Sequence, residues 1–221
     1  TITALDQSSI YGNDVDLGNT KFTSSGLVNN DAVTAIDLKT EATGQSGIGQ
    51  YAISASDAHG SGLSNYTINY AEGKLDITPA SLTVSAAGQS SIYGDTVNLG
   101  NTDVTVSGLK NSDTVRSVSL TASATDTSSV GSYSISASNA QGVGLGNYNI
   151  IYKGNSINIT PAALTISAND ATSVYGDDVG ALHYSVSGLK NNDSVLSASM
   201  SSKATSASNA GDYIISASGA Q

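Results

Sequence analysis

Residues 104–115 read Val-Thr-Val-Ser-Gly-Leu-Lys-Asn-Ser-Asp-Thr-Val. At the start of this stretch two valines alternate with Thr105 and Ser107, a period of two that is typical of a β-strand with one buried face. The Gly-Leu pair and the Asn-x-Asp segment that follow each occur twice more. The further copies are Gly26-Leu27 and Gly188-Leu189, and Asn29-Asn30-Asp31 and Asn191-Asn192-Asp193. The stretch therefore belongs to an internal repeat.

The most distinctive landmark of this repeat is a Tyr-Gly pair followed by Asn or Asp. Its three copies are Tyr11-Gly12-Asn13, Tyr93-Gly94-Asp95 and Tyr175-Gly176-Asp177. The steps between the tyrosines, 93 − 11 and 175 − 93, are both 82 residues. This period exceeds that of a solenoid unit and predicts small domains in tandem.

We assign the three repeats to residues 1–79, 80–161 and 162–221. The first lacks its opening residues. The third lacks its last two strands, because Gln221 aligns with Gln141 and nothing corresponds to residues 142–161. We therefore expect the chain to be an excerpt of a longer array.

Composition narrows the class of protein. The 221 residues include no cysteine, which excludes disulfides and thiol chemistry. The 18 acidic and 8 basic residues give a net charge of −10, which argues against nucleic acid and anionic membrane surfaces as partners. No stretch approaches 18 consecutive apolar residues, so we expect no membrane insertion. These features predict an extracellular protein, either secreted or on a bacterial cell surface.

Alternating apolar and polar residues predict six short strands in the second repeat, which is complete. The runs are Leu82–Ala86, Val104–Ser107, Val118–Ala122, Tyr133–Ser138, Tyr148–Tyr152 and Ile157–Ile159. We predict a mainly β module with little helix, strung into an elongated array; an immunoglobulin-like β-sandwich is the alternative. Residues 111–118 could hold one helical turn capped by Asp113.

Both prolines of the chain, Pro79 and Pro161, follow a threonine where one repeat passes into the next. Proline cannot donate to a sheet ladder, so we expect both at an edge or between elements. No glycine-rich linker separates the repeats. We therefore expect a semi-rigid connection from one domain into the next.

The Tyr-Gly-Asp motif has a structural and a functional interpretation. In the structural one, the glycine has positive φ, the Asp or Asn hydrogen-bonds nearby backbone, and the tyrosine packs across the loop base. In the functional one, the tyrosine stacks on a sugar ring and the aspartate binds its hydroxyls. A motif present once in each domain favours the structural interpretation.

The other polar residues give little support for a metal site, a covalent cross-link or a catalytic site. Asp31, Asp113 and Asp193 fit Asx-turns better than a calcium site, which needs six to eight oxygens. Asp177-Asp178 is the densest acidic spot and is not repeated. His59 and His183 do not recur either, so we expect them on the surface. A lysine–asparagine isopeptide would need a lysine in each domain, but Val28 replaces it in the first. We predict no cofactor, no metal and no enzymatic activity.

The order of these landmarks resembles the MBG domain of YGX type, from Leu-Thr-Val-Ser-Ala at 82–86 to Ile-Asn-Ile-Thr-Pro-Ala at 157–162. That family occurs as tandem repeats in very large secreted bacterial adhesins, including filamentous-haemagglutinin-like proteins of two-partner secretion. It is similar to the β-grasp modules of mucus-binding proteins. The resemblance implies a β-grasp-like fold and a role in adhesion, aggregation or biofilm formation.

Two functions follow as hypotheses. The first is a structural stalk, whose partners are neighbouring repeats of the same chain. The second is a module that binds host or matrix glycans directly. A binder should display aromatic residues outside the shared pattern, and only Phe22 and Tyr184 fall outside the recurring tyrosine positions. This favours the stalk.

Overall fold

The computed structural model describes residues 1–100 and 103–221, and it is mainly β, with 47% strand and 3% helix. The prediction of a mainly β fold with little helix is confirmed. The strands of the first repeat are β1 (Ile2–Ala4), β2 (Gln7–Ile10), β3 (Phe22–Ser24), β4 (Ala32–Lys39), β5 (Gly49–Ser61), β6 (Tyr70–Ala71) and β7 (Gly73–Thr78). Those of the second are β8 (Ala80–Ala86), β9 (Gln89–Ile92), β10 (Val104–Ser107), β11 (Thr114–Ala122), β12 (Gly131–Val143), β13 (Tyr148–Lys153) and β14 (Asn155–Thr160). The third repeat has β15 (Thr165–Ala168), β16 (Tyr184–Ser187), β17 (Ser199–Ser202) and β18 (Ile215–Ser218), and short 3₁₀ helices span Leu63–Asn65 and Leu145–Asn147.

The first repeat forms two sheets, with strand orders β3-β1-β6 and β2-β7-β5-β4. In the first sheet β1 is antiparallel to β3 and parallel to β6. In the second, β2 is parallel to β7, which is antiparallel to β5. The first two strands of the repeat thus pair in parallel with its last two, so the two ends of the module close on each other.

The second repeat reproduces this topology, with sheets β10-β8-β13 and β11-β12-β14-β9. Strand β8 pairs in parallel with β13, and β9 pairs in parallel with β14. The register is also shared, because Ala4 faces Phe22, Ala86 faces Val104 and Ala168 faces Tyr184. Phe22 and Tyr184 therefore occupy one equivalent position at the start of a strand, where the second repeat has a valine.

The third repeat forms only two antiparallel pairs, β15 with β16 and β17 with β18. Residues 171–174 correspond to β9 in position but form no strand. In the second repeat the strand at this position, β9, pairs in parallel with β14.

The core follows the predicted alternation. On β8, Ala80, Leu82, Val84 and Ala86 are buried, and the residues between them face outward or are half-buried. Leu82 and Val84 have no exposed surface at all. Because successive side chains of a strand point to opposite faces, one face of β8 is removed from water. Leu164, the equivalent of Leu82 in the third repeat, is 46% exposed.

The chain divides into two compact units that differ from the sequence repeats. The first comprises residues 1–87, 100–121 and 136–155, and the second comprises residues 88–99, 122–135 and 156–221. The first unit contains the whole first repeat and the sheet β10-β8-β13. The second contains β9, most of β14 and the third repeat, whereas β11 and β12 contribute residues to both units.

Two local predictions have opposite outcomes. Pro79 is exposed and is the single residue between β7 and β8, and exposed Pro161 directly follows β14, as the missing amide hydrogen requires. The helical turn at residues 111–118 is wrong, because β11 already begins at Thr114. Asp113 caps no helix; its backbone N–H donates to the Lys110 carbonyl and closes a turn.

No helix in the described part of the chain is long and apolar enough to cross a bilayer.

Candidate functional site: the contact between Tyr-Gly loops and Asn-x-Asp turns

The Tyr-Gly motif forms the same tight loop in all three repeats, which we call the Tyr-Gly loop (residues 10–13, 92–95 and 174–177). The backbone N–H of its last residue donates to the carbonyl of its first, at 3.0 Å in each copy. Gly12, Gly94 and Gly176 have φ of 79°, 78° and 93°, in the left-handed region that favours glycine. In the first two copies the tyrosine N–H also donates to a strand-end carbonyl, Tyr11 to Thr78 at 2.9 Å and Tyr93 to Thr160 at 2.8 Å.

The second element is the Asn-x-Asp turn, which we call the acceptor turn (residues 28–31, 110–113 and 190–193). The aspartate N–H donates to the carbonyl three residues earlier, at 2.9, 3.1 and 2.8 Å. Asn29, Asn111 and Asn191 have φ of 54°, 53° and 49°, a conformation that asparagine tolerates better than most residues. This explains the recurring asparagine.

A tyrosine from the late part of the repeat completes each of the first two acceptor turns. The Tyr148 hydroxyl donates to Asp113 Oδ2 at 2.7 Å and accepts the Lys110 N–H at 2.7 Å. In the first repeat the Tyr66 hydroxyl donates to Asp31 Oδ2 at 2.8 Å and accepts the Val28 N–H at 2.9 Å. The two turns thus carry the same polar network.

Within the first compact unit, the Tyr-Gly loop of the first repeat packs onto the acceptor turn of the second. The Tyr11 hydroxyl donates to Asp113 Oδ2 at 2.9 Å, so this carboxylate accepts from two tyrosines. The rings of Tyr11 and Tyr148 meet edge to face, with centroids 5.5 Å apart at 82°. Tyr11 is 4% exposed and Tyr148 is 8% exposed. The contact is therefore a small buried cluster rather than a surface encounter.

Close backbone approach accompanies this cluster. A Cβ added to Gly12 would lie 2.5 Å from the Lys110 Cβ, so only glycine fits against that side chain. The Asn111 Nδ2 donates to the Gly44 carbonyl at 3.3 Å, and the Ile48 N–H donates to Asn147 Oδ1 at 3.1 Å. The first repeat thus contacts the second through its Tyr-Gly loop and also through residues 44–48.

Within the second compact unit, part of this contact recurs between the second repeat and the third. A Cβ on Gly94 would overlap Lys190, which is the equivalent of Lys110. The Asn191 Nδ2 donates to the Asp126 carbonyl at 3.4 Å, as Asn111 does to Gly44. Lys190 also forms an ion pair with Asp95 Oδ1 at 2.8 Å, but both side chains are more than a third exposed, so this pair stabilises little.

This geometry corrects the expected roles of the motif. The glycines have positive φ, as predicted. The Asp95 side chain, however, pairs with Lys190 of the third repeat instead of nearby backbone. Tyr11 packs against Tyr148 of the second repeat instead of only its own loop base. Periodicity reveals equivalent positions, but it gives no information on which positions of different repeats meet. The lysine after Gly-Leu, which is present in two of three copies, was the signal that could have indicated this contact.

Burial raises the pKa of Tyr148 to about 12, and the hydrogen bond to Asp113 adds to the effect, while the hydrogen bond from the Lys110 backbone acts in the opposite direction. For Tyr66 the Val28 backbone bond lowers the pKa, but the hydrogen bond to Asp31 and the other contributions outweigh it and raise the pKa. In both turns the tyrosine is held as the neutral hydrogen-bond donor to a carboxylate.

Alkaline pH is expected to weaken the Tyr148 cluster. The unfolded chain releases the tyrosine proton near pH 10, whereas the folded chain holds it to about pH 12, so stability falls as pH rises between these values. Thermal unfolding from pH 9 to pH 12, with phenolate absorbance recorded in parallel, tests this. Tyr148→Phe is expected to remove the absorbance change that occurs near pH 12. An unchanged titration in this variant would contradict the assignment.

Asp113→Ala is expected to lower the free energy of unfolding of the first compact unit by about 1–3 kcal/mol, because it leaves two tyrosine hydroxyls without their acceptor. Asp31→Ala is the matched control, because Asp31 accepts from one tyrosine only. Urea unfolding of both variants measures the difference. Equal losses in the two variants would show that the Tyr11 contact contributes nothing.

The other candidate residues lie apart from this contact. His59 and His183 are exposed, as predicted. Within residues 1–100 and 103–221 no group of three or more histidine, aspartate or glutamate side chains is placed to hold a metal ion. The glycine-rich string at 142–146 includes Gly144, which packs against the Asp113 carboxylate ahead of a 3₁₀ helix. An open cleft of about 890 Å³ in the first repeat is bordered by Asp16, Glu41 and Glu72 and by no aromatic residue.

The fold and this contact define a class: tandem β-modules in which the Tyr-Gly loops of the first two modules pack on the module that follows. A family model described as MBG domain (YGX type) matches residues 1–76, 82–157 and 164–221. The chain belongs to that family, and the resemblance noted from the sequence is confirmed. Searches of curated proteins and of solved structures gave no match. The tandem copies are consistent with the repeat region of a surface protein.

Proposed function

We propose that this chain is a structural segment of the stalk of a secreted bacterial surface adhesin, serving adhesion, aggregation or biofilm formation. It acts outside the cell, without a cofactor and without enzymatic activity. Its principal partners are the neighbouring repeats of its own chain. An acidic chain with 18 acidic against 8 basic residues has no electrostatic attraction for nucleic acid or an anionic membrane.

The observation that carries this proposal is that one contact recurs between successive repeats. Gly12 lies against Lys110 and Gly94 lies against Lys190, and an asparagine of the acceptor turn donates to a loop carbonyl in both cases. In repeat proteins, stability is roughly the sum of the repeats and their nearest-neighbour interfaces. A contact used twice in equivalent form supports a role in which modules are added in series and mutually stabilised.

Small-angle X-ray scattering of the 221-residue chain tests the stalk directly. A compact protein of this length would have a radius of gyration of about 17 Å. A stalk segment is expected to give a clearly larger value with little change on raising the salt concentration. A radius of gyration at the compact value would refute the stalk.

The alternative, direct binding of glycans, has weaker support. The ring of Tyr11 is covered by Tyr148 and is unavailable for stacking on a sugar. A glycan array that includes bacterial exopolysaccharides would distinguish the two functions. The stalk predicts no specific signal, whereas micromolar binding to any polysaccharide would favour the binding module.

A further inference from the structure

The segment that enters the first repeat and the segment that leaves it lie side by side. Strands β1 and β2 form the entry segment (residues 2–10), and β6 and β7 form the exit segment (residues 70–78). Both strand pairs between the segments are parallel. The numbers of paired residues differ by 68 in each pair, since 70 − 2 and 78 − 10 are both 68. The two segments therefore keep one alignment along their length.

A side chain bridges the interruption between these two parallel pairs. Asp6, which lies between β1 and β2, accepts the Lys74 backbone N–H through its Oδ1 at 2.8 Å. A Cβ added to Gly73 would lie 2.6 Å from the Ala4 carbonyl oxygen, so the two backbones approach each other closely at this point. The entry and exit segments are thus also linked where the strands themselves are broken.

Additional hydrogen bonds hold the last residue of the exit segment. The Thr78 hydroxyl donates to the Ser9 carbonyl at 3.2 Å, and the Thr78 carbonyl accepts the Tyr11 N–H at 2.9 Å. Pro79 follows and leads into the second repeat. The point at which the chain leaves the first repeat is therefore tied back to the segment by which it entered.

The second repeat pairs its corresponding strands in the same way. Within the first compact unit β8 pairs in parallel with β13, and within the second unit β9 pairs in parallel with β14. Paired residues again differ by 68, since 148 − 80 and 157 − 89 are both 68. The Thr160 hydroxyl donates to the Ser91 carbonyl at 3.2 Å, and its carbonyl accepts the Tyr93 N–H at 2.8 Å. The arrangement is therefore a property of the repeat.

We propose that the paired entry and exit segments are a mechanical clamp that bears tension along the chain, a proposal that rests on the stalk function. Because the segments are parallel, the chain enters at one end of the pair and leaves at the other. Tension therefore pulls the two segments in opposite directions along their common axis, and all paired positions bear the load together. Forced unfolding is governed by the rate of unfolding, so such a clamp resists extension without a higher equilibrium stability.

Single-molecule pulling of the whole chain in two directions tests the clamp, and a chain without cysteine allows unique attachment sites. Thr1→Cys combined with Asp76→Cys loads the paired segments along their axis. Ser8→Cys combined with Asp76→Cys pulls two register partners apart, so the pairs open in succession. All three residues are exposed, and the variants differ in the direction of pulling. Opening the repeat releases about 220–270 Å of extended chain in either case, which identifies the event.

We expect the rupture force along the axis to be at least about twice the force that separates the partners, because two positions of β1 and four of β2 share the load. Equal forces in the two directions would overturn the clamp. Scattering decides the stalk separately. A compact radius of gyration refutes the stalk, whereas equal rupture forces refute the clamp in a chain of any shape.

A matched pair of aspartate variants tests the bridge between the strands. Asp6→Ala removes the acceptor of the Lys74 N–H and is expected to lower the rupture force along the axis by roughly a seventh, as one link beside six paired positions. Asp16 also accepts a backbone N–H, but from Gly18 in its own loop. Asp16→Ala is therefore expected to leave the rupture force unchanged. A rupture force for Asp6→Ala no lower than for Asp16→Ala would contradict the proposal.

Discussion

Leu82→Ala is expected to lower the free energy of unfolding of the first compact unit by about 2–5 kcal/mol, the range for truncating a fully buried leucine. Leu82 has no exposed surface and lies in the centre of the sheet β10-β8-β13, where it is in register with Ile150. The loss combines the transfer of the removed methyl groups to water with the cavity that the neighbouring strands cannot close.

The third repeat supplies a control for this change. Leu164 occupies the same position in its repeat but is 46% exposed. Leu164→Ala is therefore expected to cost less than about 1 kcal/mol. Urea unfolding monitored by hydrogen exchange would report each compact unit separately. Similar losses in the two variants would mean that the burial of β8 does not determine the stability of its unit.

Gly12→Ala is expected to destabilise the first compact unit by about 2–5 kcal/mol, as the sum of two costs. The left-handed conformation at a φ of 79° costs an alanine about 1–2 kcal/mol. The overlap of the new Cβ with Lys110 adds about 1–3 kcal/mol, which is the usual cost of overpacking. The same experiment as for Leu82→Ala measures the loss.

Gly176→Ala separates these two contributions. Gly176 has a φ of 93°, so alanine is strained there as well, but no atom lies within 4 Å of the added Cβ. Its loss is expected to be about 1–2 kcal/mol, from the backbone alone. If Gly12→Ala lowered the free energy of unfolding no more than Gly176→Ala does, the packing of the Tyr-Gly loop on Lys110 would contribute nothing to stability.

The contact gives the Tyr-Gly motif of the first repeat a physical role. Tyrosine supplies a ring for Tyr148 and a hydroxyl for Asp113, and glycine permits both the tight loop and the close approach to Lys110. The lysine and the aspartate of the acceptor turn serve the same contact from the other side. The two most distinctive segments of the repeat are thus the two halves of one interaction.

The strands of the second repeat followed from alternation alone, and all six predicted runs lie within observed strands. The alternation is reliable because one face of each strand is buried, which requires an apolar residue at each second position. Strand β9 was missed because Gln89, Ser90 and Ser91 carry no apolar alternation. It is held by parallel pairing with β14, a strand far away in the sequence.

The sequence by itself determined that this protein is a series of equivalent, cysteine-free β-modules, because a repeated pattern of buried positions must produce a repeated fold. Only the tertiary structure decided that Tyr11 meets Asp113 and that Gly94 meets Lys190. The physical reason is that a period records which residues have the same environment, whereas a contact between modules depends on which surfaces the folded chain brings together.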